Sequence, residues 1–186
     1  MWEIVAIIGM VLLAISFETY MTLKFTTIII FLILFFSSAI LSAQIAVIIG
    51  DSQSHWIAKN SKKAQIDSGA CKSGIGLSGL NKLIIRNKKP NKQVLYVFIS
   101  IGVNDNYNYT EVLFYQTLRR AYPYAQYFLI GGSWGWGDTK KYRPDYYKNF
   151  RGMKLLKHTI GKGDSHKDKP EYKQIASEID SIVALN

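Results

Sequence analysis

At 186 residues the chain has the length of about one domain, enough to bury a real core. Its 23 Lys and Arg against 13 Asp and Glu make it strongly basic, with a formal net charge of +10, which favours acidic partners such as phosphates, uronic acids or anionic lipid headgroups. Cys71 stands alone, so an internal disulfide is excluded, and an oxidising compartment is allowed but not required.

The first long apolar runs lie in residues 1–49, apart from the rest of the chain in character. From Met21, "MTLKFTTIIIFLILFFSSAILSAQ" has a basic start at Lys24, an apolar centre and small residues ending at Ala43, the pattern of a secretory signal peptide. Upstream, the largely apolar run between Glu3 and Glu18 has only 14 residues, too few for a bilayer core that needs ~20. Residues 1–20 therefore read as an extension ahead of a true start at Met21, with a retained membrane anchor as the rival reading and a membrane hairpin as a third. Residues 44–186 form the domain proper. Losing residues 1–43 removes Lys24, Glu3 and Glu18 and leaves 22 basic against 11 acidic residues.

Beyond residue 44, apolar β-rich runs alternate with helical spacing, which predicts a parallel α/β sheet of about five strands in a three-layer α/β/α sandwich. The strands are expected at 45–51, 64–69, 94–102 and 125–132, with a fifth at 153–160. Helical spacing covers 76–87, 109–122 and 170–185, the last with Pro170 near its start and Ile175, Ile179, Ile182 and Val183 on one face. The Lys-rich stretch 86–92 reads as an exposed connection.

Polar, glycine-containing clusters close three of these strands: "GDSQS" (50–54), "GVNDN" (102–106) and "GGSWGWGD" (131–138). In open α/β sheets ligands bind outside the carboxyl ends of the strands, so three such turns predict one shared site. Taken alone, Ser52 is also a good N-cap for a helix beginning near Gln53, and Asn104 and Asp105 are good turn residues. Trp134 and Trp136 either stack a sugar or acyl group or pack their own loop. Three histidines without metal-ligand spacing make a metal site a poor reading, and Cys71 reads as a small, partly buried residue rather than a nucleophile.

Gly50-Asp51-Ser52-Gln53-Ser54 after the first strand, Gly74 after the second, Gly102-Val103-Asn104-Asp105 after the third and His166 before the last helix occur in the order of the four blocks of the SGNH, or GDSL-type, hydrolases. Over residues 44–186 the chain resembles a compact member of that family, which implies a flavodoxin-like sheet and a serine esterase that needs no cofactor. The resemblance assigns Ser52 as nucleophile and His166 as general base. It assigns the backbone N–H of Ser52, the N–H of Gly74 and the Asn104 side chain as oxyanion donors. Gly69, Gly76 and Gly79 compete with Gly74 for that place. The implied role of Asp51 is to brace the turn.

One position departs from the family. The triad acid usually stands three residues before the histidine, where this chain has Gly163; Asp164 lies two before. Either Asp164 completes a triad with His166 or the pair Ser52 and His166 works as a dyad.

The expected activity is hydrolysis of O-acyl, above all O-acetyl, esters of a glycan, with lysophospholipids or other small acyl esters as the alternative. The implied partner is that acyl-ester substrate, including an acidic glycan, met by a monomer that is secreted or tethered to a membrane through residues 1–43. A catalytically lapsed glycan-binding module is a rival of a different class. Nucleic acid is not an expected partner: the lysine pairs 62–63, 88–89 and 140–141 come without a reading motif.

Overall fold

The computed structural model describes residues 46–105, 107, 113–135, 143–163 and 169–185. Five parallel strands form one sheet: β1 (Ala46–Gly50), β2 (Gln65–Cys71), β3 (Tyr96–Ser100), β4 (Gln126–Trp134) and β5 (Lys154–Lys162), in the order β2-β1-β3-β4-β5. The helices are α1 (Ser52–Asn60), α2 (Leu77–Asn87), α3 (Phe114–Ala121), the single turn α4 (Pro144–Tyr147) and α5 (Pro170–Ala184), with a 3₁₀ turn at Val103–Asp105. The expected α/β sandwich is the observed one, and its strand order is that of the flavodoxin type.

The strands explain their own positions. AVIIG in β1 and YVFIS in β3 are buried at every residue, the mark of central parallel strands covered on both faces. QIDSGAC in β2 and KLLKHTIGK in β5 are mostly exposed or half-buried and form the two edges. Side chains along a strand point alternately to opposite faces, and two cores result. Val47, Ile49, Val97, Ile99 and Leu129 pack with Leu80 and Ile84 of α2, Phe114 and Leu118 of α3 and Tyr146 and Tyr147 of α4. Ala46, Ile48, Phe98, Phe128 and Ile130 pack with Ile57 of α1 and with Tyr172, Ile175 and Ile179 of α5. Ile175 and Ile179, with Ile182 and Val183 half-buried beside them, are the apolar stripe that the sequence shows, and stacking of Trp56 on Tyr172 at 6.2 Å joins the two helices.

Several boundaries move. Strand β2 extends to Cys71 and β5 to Lys162, and β4 runs on to Trp134, which the sequence places in a turn. Parallel pairing carries β4 that far, because Ser133 and Trp134 lie opposite Gly161 and Lys162 of β5. Of the helix expected over 109–122, Phe114–Ala121 is helical, and residues 108–112 lie outside the described set. The readings of residues 1–43 also lie outside it. Among the described residues no helix is long and apolar enough to cross a membrane.

Candidate active site

The chain leaves β1 toward β2 over one face of the sheet and returns from β2 to β3 over the other, so the order reverses between β1 and β3. At such a switch point the loops after the two strands diverge and leave a crevice at the carboxyl edge. The turns carrying Ser52 and Asn104 follow these two strands.

Gly50 makes the first turn. Its φ is +130°, and a Cβ there would stand 2.0 Å from the Ser100 carbonyl oxygen, so the turn closes against β3 only with glycine. The next residue locks it: Asp51 N–H donates to that same carbonyl at 3.2 Å, and Lys72 N–H donates to Gly50 O at 2.9 Å from the end of β2. Asp51, only 1% exposed, is the N-cap of α1 and accepts Gln53 N–H at 3.0 Å. Its carboxylate also accepts the Ser100 hydroxyl at 3.2 Å and the Asn104 amide at 3.1 Å. The cap is therefore Asp51, and Ser52, read from sequence as a possible cap, is instead the first helical residue.

That placement leaves Ser52 half-buried at the positive end of α1, with its N–H among the helix N-terminal donors that have no intrahelical acceptor. Among the described residues its hydroxyl has no hydrogen-bond partner. Asn104 is tied on both sides, its amide donating to Asp51 Oδ2 and, at 3.1 Å, to the Ile75 carbonyl. The second bond brings the β2–α2 loop, with Gly74, onto the same edge. Gly74 is exposed at φ +70° with nothing within 4 Å of a Cβ position. Gly76 is occupied differently: it is the N-cap of α2, with the Asp105 carboxylate 2.0 Å from where its Cβ would be and accepting Leu77 N–H. Gly79 lies inside α2 and Gly69 inside β2.

Behind the edge runs a buried polar layer that sequence reading missed. Gln53 donates through Nε2 to the Ser133 hydroxyl at 3.0 Å, and its Oε1 has no partner among the described residues. Tyr107 OH donates to Ser133 O at 2.8 Å, and Tyr147 OH accepts Gly132 N–H at 2.9 Å. The available signal was Gln53 itself, a polar residue at the first turn of a helix whose neighbours belong to the core. Trp134, half-buried, ends β4, and its carbonyl accepts Gly163 N–H at 2.7 Å. Gly163, at the end of β5, thus lies on the same edge as the other three turns. Asp164, His166 and Trp136 lie outside the described residues.

The other histidines have separate settings. His158 Nδ1 lies 2.8 Å from Glu178 Oε2, and the same carboxylate accepts the N–H groups of Lys157 and His158, which fastens α5 to β5. His55 is one turn along α1 from Ser52, with Nε2 3.6 Å from Cys71 Sγ. Burial pushes the Cys71 thiol up to about 11, so it is a thiol and not a thiolate at neutral pH. Among the described residues no cluster of His, Cys, Asp and Glu could hold a metal ion.

No family model, curated protein or solved structure matches the chain.

Proposed function

We propose that the domain is a serine esterase of the SGNH type, acting outside the cytoplasm on O-acyl groups, chiefly O-acetyl groups of a glycan. The observation that carries this reading is the Asp51 carboxylate. It gathers the β1 turn, Ser100 and Asn104 around the start of α1 and leaves Ser52 with an unengaged hydroxyl at a helix N-terminus. Ser52 Oγ attacks the acyl carbonyl while His166 takes its proton, and the N–H groups of Ser52 and Gly74 meet the oxyanion. Asn104 joins them by exchanging its bond to the Ile75 carbonyl, the outer of its two, for one to the substrate. The alcohol leaves with the proton held by His166, and water then hydrolyses the acyl-serine to the free acid. Asp164 or a backbone group orients His166.

A fluorophosphonate probe and a short-chain aryl acetate test the proposal. Labelling is expected at Ser52, and Ser52→Ala and His166→Ala should each remove nearly all turnover. Asn104→Ala should lower it by about 10²- to 10³-fold, as for one lost oxyanion donor. Full activity in Ser52→Ala, or labelling at another serine, overturns the assignment. The full engagement of the Asn104 amide favours one second reading, a lapsed module that retains the fold for glycan binding. Glycan retention without Ser52 labelling would identify that case.

A further inference from the structure

The loop that leads from β2 into α2 borders an open groove of about 490 Å³ that includes Gly74 and whose charged lining the esterase chemistry does not use. Its size falls in the range of ligand sites. Gly74, Ile75 and Leu83 line it together with three cations, Lys72, Lys82 and Arg86. Lys82 and Arg86 stand one helical turn apart on α2 and so point the same way. All three cations are exposed, and among the described residues none pairs with a carboxylate. The neighbouring Lys88, by contrast, is tied to Asp67. The Asp105 carboxylate at this loop is turned to Leu77 N–H and caps the helix.

The groove is continuous with the catalytic edge, since the Ile75 carbonyl on its rim accepts the same Asn104 amide that reaches Asp51. We propose that this groove binds a negatively charged glycan chain, its carboxylate or sulfate groups paired with Lys72, Lys82 and Arg86, so that an acyl ester on a neighbouring sugar reaches Ser52. This names the substrate class of the esterase and rests on that reading for the last clause alone. Arginine and two lysines suit discrete anionic groups on a sugar polymer. Among the described residues no aromatic side chain lines the groove, whereas single-stranded nucleic acid is usually held on a stacking platform.

Binding is measured by calorimetry with the full chain carrying Ser52→Ala, so that turnover plays no part. The probes are oligogalacturonate, a heparin oligosaccharide, a neutral xylo-oligosaccharide and single-stranded DNA. At least one acidic oligosaccharide should bind at least tenfold more tightly than the neutral one and the DNA. Which acidic probe leads distinguishes carboxylate from sulfate. Lys72→Gln, Lys82→Gln and Arg86→Gln together should weaken that binding about tenfold or more. Removing the same charge elsewhere, with Lys89→Gln, Lys92→Gln and Lys173→Gln, should change it less than about twofold. Equal losses in the two triple variants, comparable binding of the neutral sugar, or preference for DNA overturns the groove. Failure of Ser52 labelling in the unmodified chain overturns the esterase reading instead, and leaves the binding result standing.

Discussion

Two helices rise from the carboxyl edge, and their N-termini are built in opposite ways. Helix α1 is capped from within its own turn: Asp51 precedes it, accepts Gln53 N–H, and is almost wholly buried. Helix α2 has Gly76 as its N-cap, which has no side chain to offer, and its first residue, Leu77, takes a carboxylate from Asp105, 28 residues further on, after β3. The local cap is also the centre of a network, holding Ser100 and Asn104, whereas the remote cap holds a single N–H. The first design makes the turn rigid around Ser52. The second makes the β2–α2 loop depend on β3 having found its place, and leaves the rim of that loop open.

The largest expected effect tests the rigidity of the first turn against the openness of the second. Gly50→Ala adds a Cβ against the Ser100 carbonyl at a φ that disfavours side chains, and should cost more than about 4 kcal/mol, leaving little folded protein. Gly74→Ala also has positive φ but meets nothing, and should cost only about 1–2 kcal/mol. Thermal melts followed by circular dichroism compare the two, and similar losses would remove the distinction.

A smaller effect separates the caps themselves. Asp51→Ala leaves Gln53 N–H, the buried Ser100 hydroxyl and one Asn104 N–H without their acceptor, and should lower stability by about 2–4 kcal/mol in urea titrations. Asp105→Ala removes one cap and should cost about 1 kcal/mol. In the Asp105→Ala background, Gly76→Ala should become nearly neutral, because the carboxylate that its Cβ would strike is gone. Strict additivity of those two substitutions would show that the remote cap does not hold the loop.

The smallest effect concerns Cys71, which lies between the two helix starts and contacts Asp51 O at 3.5 Å. With its thiol raised to about 11 by burial, only ~10⁻³ of it is thiolate at pH 8. Alkylation by iodoacetamide should be slow there and should accelerate about tenfold per pH unit up to pH 10. Raising the pKa on folding favours the protonated form, so any stability tied to this group is present below pH 9 and declines as pH rises toward 11. Rapid alkylation at pH 7 would place the thiol in an open, electropositive setting rather than a desolvated one.

What could be read from the sequence was what is encoded locally. Uninterrupted apolar runs declared β1 and β3 as strands, and their central place in the sheet, covered on both faces, is why they need no polar alternation. Ile175 and Ile179 declared the buried face of α5 through the period of the helix. The polar turn at Gly50 and Asp51 was legible because it closes an apolar run, but its cap was not: Asp51 caps α1 where the sequence offered Ser52. Partners far apart in sequence were decided only by tertiary structure. Asp105 meets the start of α2, Gln53 meets Ser133 across 80 residues, and the Asn104 amide bridges Asp51 and Ile75. No periodicity records these meetings, since each depends on which strands lie side by side and on how far β4 runs against β5. The basic groove belongs with them. Lys82 and Arg86 share a helix face in any reading of the sequence, but Lys72 joins them only because parallel pairing with β1 ends β2 beside the start of α2.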